Sequence, residues 1–239
     1  MSSVIYEIEN HPKILALIFF YNYYGTMASL PPAKRDIAIS KSLSYLLRHG
    51  AVKEKLNIDQ TGYININELL NHNRLKTNKV TLDDIRRIVA NNDKKRFSIV
   101  EKEGEIMICA NQGHSIKTVN DSNLTELSEN TIPEEIYHGT YKNKLPAIFN
   151  SGGLSKMNRN HIHFASSISD VSGIRNSSNV LIYLNIEKCL QSGIVFYRSS
   201  NNVILTSGDA NGLIGLEFFG KVVDAKNGTP IDINQYANI

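Results

Sequence analysis

Between Ile39 and Ala110 the spacing of the apolar residues changes once, and that change limits the folds open to this chain more than any other feature. Ile39, Leu43, Leu46 and Leu47 recur at i, i+4, i+7 and i+8, the stripe of an amphipathic helix. The pattern predicts a helix ending near Gly50, since glycine suits the residue just past a helix end. A second short helix is expected over Asn67–Asn71, after a turn at Gly62. A third should begin at Thr81, where T-x-x-D with Asp84 spells a capping box, and should bury Leu82, Ile85, Ile88 and Val89. The period then falls to two. Phe97 and Ile99 alternate with Arg96 and Ser98, and residues 105–110 return across Lys102-Glu103-Gly104. Three helices and a hairpin make a winged helix, a fold that often binds nucleic acid without establishing function.

Beyond it, residues 118–131 are polar, have no clear period and are followed by Pro133, which marks a boundary. Short β-rich segments follow at 136–141, 161–165, 180–186, 194–197, 203–206 and 213–223. One helix, 144–150, interrupts them and stops at Gly152-Gly153. The expected class is α+β in two lobes. Residues 1–33 form a poorly ordered extension in which Met27 offers an alternative start, 34–117 the winged-helix lobe, 118–132 a linker and 133–239 a β-rich lobe.

Composition narrows the setting. The longest apolar run, 14–24, has eleven residues and contains Asn22, too short for a bilayer, so no membrane span is expected. The first twenty residues carry one Lys against two Glu, unlike a signal or transit peptide. Cys109 and Cys189 each sit in an apolar stretch, with no disulfide framework or CxxC pattern, as for buried thiols in a reducing compartment. An intracellular protein, in cytoplasm or nucleus, is expected. The net charge of +3 hides an asymmetry: residues 34–117 hold 16 Lys/Arg against 10 Asp/Glu, and 118–239 hold 9 against 11. A basic lobe joined to a near-neutral one suits a polyanion gripped on one side.

Arg48 and His49, at the first helix's end, fit that helix's dipole as cations. With Lys94, Lys95 and Arg96 they could equally hold a phosphate dianion, for which guanidinium groups offer bidentate donors. Arg159, His161 and His163 alternate in NRNHIHFAS; on an extended strand they would share one side while Ile162 and Phe164 pack inward. That set serves as an ordinary polar strand face as well as it serves a site. It lacks further ligands at metal spacing, so no metal is expected. His138-Gly139-Thr140 closes a short strand before a helix, where a glycine lets the backbone approach a ligand. The chain has neither GxGxxG nor GxxxxGK[ST], so any nucleotide is held another way.

Seven segments taken in order, ISKSLSYLLRHGA (39–51), DIRRIVANNDKKRFSI (84–99), ANQGHSIKTVN (110–120), YHGTYK (137–142), SGGLSKMNRNHIHFAS (151–166), RNSSNVLIYLNI (175–186) and FYRSSNNVILTSG (196–208), resemble the tRNA 2′-phosphotransferase family in its eukaryotic form. The resemblance runs over about 34–223. It implies a winged-helix RNA lobe followed by a lobe of ADP-ribosyltransferase type, acting as a monomer on tRNA with an internal 2′-phosphate. NAD⁺ is consumed as co-substrate and no metal takes part. The RNA 2′-phosphate attacks the anomeric carbon of NAD⁺ and expels nicotinamide; the ADP-ribose 2″-hydroxyl then attacks phosphorus, releasing 2′-OH RNA and ADP-ribose 1″,2″-cyclic phosphate. The family's Arg-His-Arg-Arg tetrad falls on Arg48, His49, Arg96 and Arg159. Its NAD contacts fall on His138, Gly139, Thr140, His163 and Ser166, with Arg175 and Arg198 as further candidates. The late strand VILT (203–206) lacks the glutamate with which many protein-modifying ADP-ribosyltransferases activate an acceptor, and a phosphate nucleophile needs none. Asn202 replaces the glycine of the family's turn, and asparagine tolerates positive φ. Residues 1–33 match nothing. Two other functions suit parts of this pattern: a non-catalytic winged-helix binder, and an ADP-ribosyltransferase that caps terminal phosphates of nucleic acids.

Overall fold

The computed structural model describes residues 34–166 and 172–236, so the expectations for the leader and for Met27 lie outside the described residues. The described residues from Lys41 onward belong to one compact unit. It is mixed α+β, with short helices and small antiparallel sheets. No described helix is long and apolar enough to cross a membrane.

Helix α1 (Lys34–Tyr45) continues directly into a π-turn, Leu46–Gly50, and Ile39, Leu43, Leu46 and Leu47 are all buried. Gly50 is not the left-handed terminator that the sequence suggests. The coil runs on, with Glu54 N–H bonded to Gly50 O and Leu56 N–H to Ala51 O, and the residue with positive φ is Lys55, at 58°. Glycine at 50 answers to packing instead, because a Cβ there would lie 2.5 Å from Cε1 of the Tyr45 ring.

After Gly62 (φ 83°) come β1 (Tyr63–Asn65) and α2 (Ile66–Asn71), whose first turn is capped by the Asn65 side chain accepting from Asn67 N–H. A further short helix that the apolar pattern does not signal, α3 (Asn73–Lys76), follows at once, with the His72 ring accepting from Arg74 N–H. Helix α4 (Leu82–Ala90) carries the expected box: Thr81 Oγ1 accepts from Asp84 N–H at 3.2 Å, and Asp84 Oδ2 accepts from Thr81 N–H at 3.0 Å. Ile85 and Ile88 are buried, while Leu82 and Val89, at the edges of the stripe, are only partly covered. The hairpin of β2 (Phe97–Lys102) and β3 (Glu105–Ala110) turns on Glu103 and Gly104, both left-handed at 54° and 78°, as a two-residue hairpin turn of matching twist requires. Strand β1 pairs with the other edge of β3, giving the order β1-β3-β2.

The stretch expected to be a linker contributes a strand, β4 (Thr125–Leu127). Its three residues pair with β9 (Phe196–Arg198), and Leu127 enters the core. One buried apolar residue among polar ones is too little for a sequence pattern to register. Between them lie β5 (Tyr137–Thr140), α5 (Leu145–Asn150), β6 (Gly153–Ser155), β7 (Ile162–Phe164), β8 (Val180–Leu184) and α6 (Ile186–Gln191). The last is a second helix where one was expected; Asn185 caps it by accepting from Lys188 N–H. Strand β10 (Ile204–Thr206) then completes the sheet β4-β9-β10-β7. The apolar run 213–223 divides into β11 (Leu213–Gly215), a 3₁₀ turn and β12 (Phe219–Asp224), which serve different sheets, β11-β6 and β12-β8-β5. A core that includes Ile136, Phe149, Ile162, Phe164, Ile182, Phe196 and Ile204 lies under these elements, and Tyr137, Ala165, Leu181 and Val223 form a smaller buried cluster.

Strands β5 and β7 meet at one residue pair. Tyr137 and Ala165 exchange backbone hydrogen bonds of 2.9 Å in both directions, and there the ladder stops. One position further, a side chain takes over, as His138 Nδ1 donates to the carbonyl of His163 at 2.9 Å.

Candidate active site

Arg48 and His49 lie inside the π-turn, an irregularity that helices often carry at functional positions. The Arg48 carbonyl accepts from Ser115 N–H at 2.9 Å, and Gly113, at φ 86°, brings the chain against its side chain. Nε and Nη2 of Arg48 are shielded from solvent and have no hydrogen-bond partner among the described residues. Desolvation, then the charges of Arg159 and Arg96, pull its pKa down to about 10. His49 Nδ1 lies 2.9 Å from Ser115 Oγ. Burial, followed by Arg159 and Arg48, holds its pKa below the ordinary histidine value.

Arg96 donates from Nη1 to Asn92 Oδ1 at 3.2 Å. Its charge adds to the partial burial that lowers the pKa of Lys94. Arg159 occupies the turn before β7, its N–H bonded to Lys156 O. Its own pKa falls through desolvation and the charge of Arg175. Arg48 thus lies within electrostatic reach of Arg96 and Arg159, His49 within reach of Arg48 and Arg159, and Arg159 within reach of Arg175. Among the described residues no carboxylate pairs with any of these arginines. Arg48 and Arg96 are partly buried, while His49, Arg159 and Arg175 are exposed; desolvated like charges are costly in isolation and become favourable when an anion arrives.

The alternation of Arg159, His161 and His163 does not become one strand face, because β7 begins only at Ile162. His161 and His163 are both buried, and each has its own partner. His161 Nε2 lies 3.2 Å from Asp121 Oδ1, and His163 Nε2 lies 2.9 Å from Gln112 Oε1. Desolvation, with Arg159 next in weight, drives the His163 pKa well below the usual histidine range. His138 is likewise held low, mainly by burial. Since a carbonyl only accepts, the bond to His163 O puts the His138 proton on Nδ1 and leaves Nε2 as an acceptor. The space above Gly139 is filled: a Cβ there would lie 2.9 Å from Ile174 Cγ2 and 3.0 Å from Ser178 Oγ, so this glycine admits the 172–178 segment. Thr140 is buried at the end of β5, and Ser166 follows directly on the paired Ala165. Arg198, on β9, spends Nη2 on the carbonyl of Thr131 at 3.1 Å.

The segment 112–115 escaped the sequence reading as a source of site residues. It supplies Gln112 to His163, Gly113 and His114 to the surroundings of Arg48, and Ser115 to His49. Its residues follow no period, so only its place in the fold reveals them. Beside it lies a cavity of about 330 Å³ lined by Cys109, Asn111, His114, Asp121 and His161 among others. Among the described residues no cluster of His, Cys, Asp or Glu could hold a metal ion.

Neighbouring guanidinium groups with no paired carboxylate among the described residues, one of them with buried N–H donors, are chemically suited to phosphate-like anions. The model of the RNA 2′-phosphotransferase, Tpt1 / KptA family matches residues 34–208, and the chain belongs to that family. It is 47% identical over 201 residues to tRNA 2′-phosphotransferase of Saccharomyces cerevisiae, covering 80% of this chain and 84% of the relative. It is 41% identical over 207 residues to tRNA 2′-phosphotransferase 1 of Danio rerio, covering 83% and 90%. The similarity extends to bacteria, with 36% identity over 174 residues to the probable RNA 2′-phosphotransferase of Rhodopirellula baltica, covering 72% and 91%.

Proposed function

We propose that this enzyme removes the splice-junction 2′-phosphate from ligated tRNA by transferring it to NAD⁺. The observation that carries the reading furthest is the buried Arg48 guanidinium, with Nε and Nη2 unpartnered and Arg96 and Arg159 beside it. A phosphate dianion would take up those donors and relieve the mutual repulsion. A phosphate oxygen bonds to the anomeric carbon of NAD⁺, and nicotinamide leaves with the electron pair of the broken C–N bond. The 2″-hydroxyl of the resulting ADP-ribosylated phosphate then attacks phosphorus, and the RNA 2′-oxygen departs and is protonated. Arg48, Arg96 and Arg159 would offset the charge gathered on phosphorus in that step. His49, whose cation is disfavoured by burial and by Arg159, is available as a neutral base for the attacking hydroxyl.

The NAD⁺ contacts are assigned to His138, Gly139, Thr140, His163, Ser166 and Arg175. The His138 Nε2 acceptor suits a ribose hydroxyl, and Arg175 a pyrophosphate oxygen. Arg198, committed to Thr131, is assigned a supporting role. In this reading residues 34–117 are the winged-helix lobe that grips RNA, and residues 133–239 the ADP-ribosyltransferase-type lobe. Both cysteines are free and buried, in keeping with an intracellular protein.

The test is incubation with an RNA carrying one radiolabelled internal 2′-phosphate, with and without NAD⁺. Label should move, only with NAD⁺, into ADP-ribose cyclic phosphate. Label that stays on RNA as an ADP-ribose adduct points to a capping enzyme instead, and no reaction points to a binding protein.

A further inference from the structure

The segment that presents Arg96 is held from outside its own hairpin. Lys95 is left-handed, at φ 42°, so the chain reverses just before Arg96. The backbone carbonyls on both sides of that reversal are tied down. Lys95 O accepts from Asn111 Nδ2 at 2.7 Å, and Arg96 O accepts from Asn111 N–H at 2.9 Å. Those two bonds come from the end of β3, close by. The carbonyl of Lys94 is bound from the far half of the chain: Asn201 Nδ2 donates to it at 2.8 Å and Ser172 Oγ at 3.0 Å. The Lys94 side chain reaches back over the same gap, its Nζ donating to Ile174 O at 2.9 Å.

Asn201 is itself fixed. It lies in the tight turn between β9 and β10, where Ser199 N–H bonds Val203 O, Asn202 N–H bonds Ser199 O and Asn202 takes φ 62°. Ser199 and Asn201 are among the few buried polar residues of the protein, 3% and 5% exposed. Ser199 Oγ accepts from Val203 N–H at 3.0 Å and lies 2.8 Å from Asn201 Oδ1, which orients the amide so that its NH₂ faces Lys94 O. A buried amide oriented by one residue and spent on a distant backbone carbonyl has a geometric task.

We infer that Asn201 is a positioning residue for the phosphate-transfer site. Through the carbonyl of Lys94 it sets where Arg96 stands relative to Arg159 and Arg175, which belong to the same half of the chain as Asn201. The inference rests on the proposed function for its kinetic readout only. Loss of the Asn201 amide would leave Lys94 O with its bond from Ser172, and would leave the Ser199 hydroxyl with Val203 O at 3.1 Å, so the fold keeps alternatives that the position of Arg96 does not.

The experiment is a double-mutant cycle on the full chain between Asn201→Ala and Arg96→Ala, read by single-turnover rate with enzyme in excess. Asn201→Ala should lower the rate about tenfold or more while the KM for NAD⁺ stays within about twofold, since displacing a charge by a fraction of an ångström costs rate steeply. In the Arg96→Ala background the same substitution should cost nothing further. An unchanged rate, or an equal loss in both backgrounds, overturns the inference. If Asn201→Ala does not fold, Ser172→Ala removes the other bond to the same carbonyl and takes its place in the cycle. Should the wild-type enzyme transfer no phosphate at all, the functional reading fails by itself. The clasp is then judged by calorimetric binding of inorganic phosphate, which both substitutions must weaken non-additively if the inference is right.

Discussion

Gln112 Oε1 and His163 Nε2 stand 2.9 Å apart across 51 residues of sequence, joining the end of the β2-β3 hairpin to strand β7. The bond places the His163 proton on Nε2, while the His163 carbonyl accepts from His138 Nδ1. Two neutral imidazoles are thus locked in series behind the arginine cluster. To become a cation either ring would need a second proton in a desolvated position beside several like charges.

That arrangement predicts acid sensitivity. His138, His161 and His163 all have folded pKa values below the ordinary 6.5, chiefly through burial, and His114 is lowered to about 4. Below about pH 6.5 the unfolded chain binds protons that the folded chain refuses, so stability must fall as pH drops through that value. For His114 alone the loss by pH 4 is on the order of 3 kcal/mol. Urea titrations at pH 7.5 and pH 4.5 should show a clear fall in midpoint, and His114→Gln should reduce it. A pH-independent midpoint would contradict the buried, neutral state of these rings.

Arg48 should trade stability for function. Arg48→Met keeps much of the stem that packs on Gly113 and removes a desolvated, unpartnered charge repelled by two arginines. The expected outcome is turnover lower by roughly a thousandfold. Thermal midpoint should stay level or rise by a few degrees. Inorganic phosphate should raise the wild-type midpoint and leave that of the variant in place. A strongly destabilised variant would show that the guanidinium is structural.

Gly139→Ala probes the other half of the site. Its methyl group would press on Ile174 and Ser178, displacing the segment that carries Arg175. The KM for NAD⁺ should rise about tenfold with little change in RNA affinity, and steady-state kinetics against each substrate separates the two. Equal effects on both substrates would argue for general loosening.

The family match begins at residue 34, so the segment before it is predicted to be dispensable for the reaction. Removal of residues 1–26 should leave kcat and KM within about twofold of the full chain. A truncated protein that folds, as judged by circular dichroism, but has lost activity would overturn this.

What could be read from the sequence was what forms over a few residues. The Thr81-Asp84 box, the Glu103-Gly104 turn and the positive φ of Asn202 are local bargains between a side chain and its own backbone, and each is present. The buried stripe of Leu43, Leu46 and Leu47 is equally local, since a helix sets the spacing of its own faces. Arg48, His49, Arg96 and Arg159 could be named from motifs, and their convergence could not be derived from them.

Tertiary structure decided whatever depends on a partner far along the chain. Gly50 could pass for a helix terminator because the Tyr45 ring that needs its bare Cα is invisible to a rule about helix ends. At Gly139, Ile174 and Ser178 stand where a Cβ would lie, a close approach that the residues around Gly139 do not announce. His161 and His163 would share a face if strand period alone governed them, and Asp121 and Gln112, forty or more residues away, fixed them separately instead. Residues 125–127 became a strand because β9 offered an unpaired edge. Charge shows the same division: the sequence determined how many arginines there are and on which segments, whereas only folding could leave them unopposed. The distances between segments bring Arg48 within reach of the charges of Arg96 and Arg159, which no single segment could do.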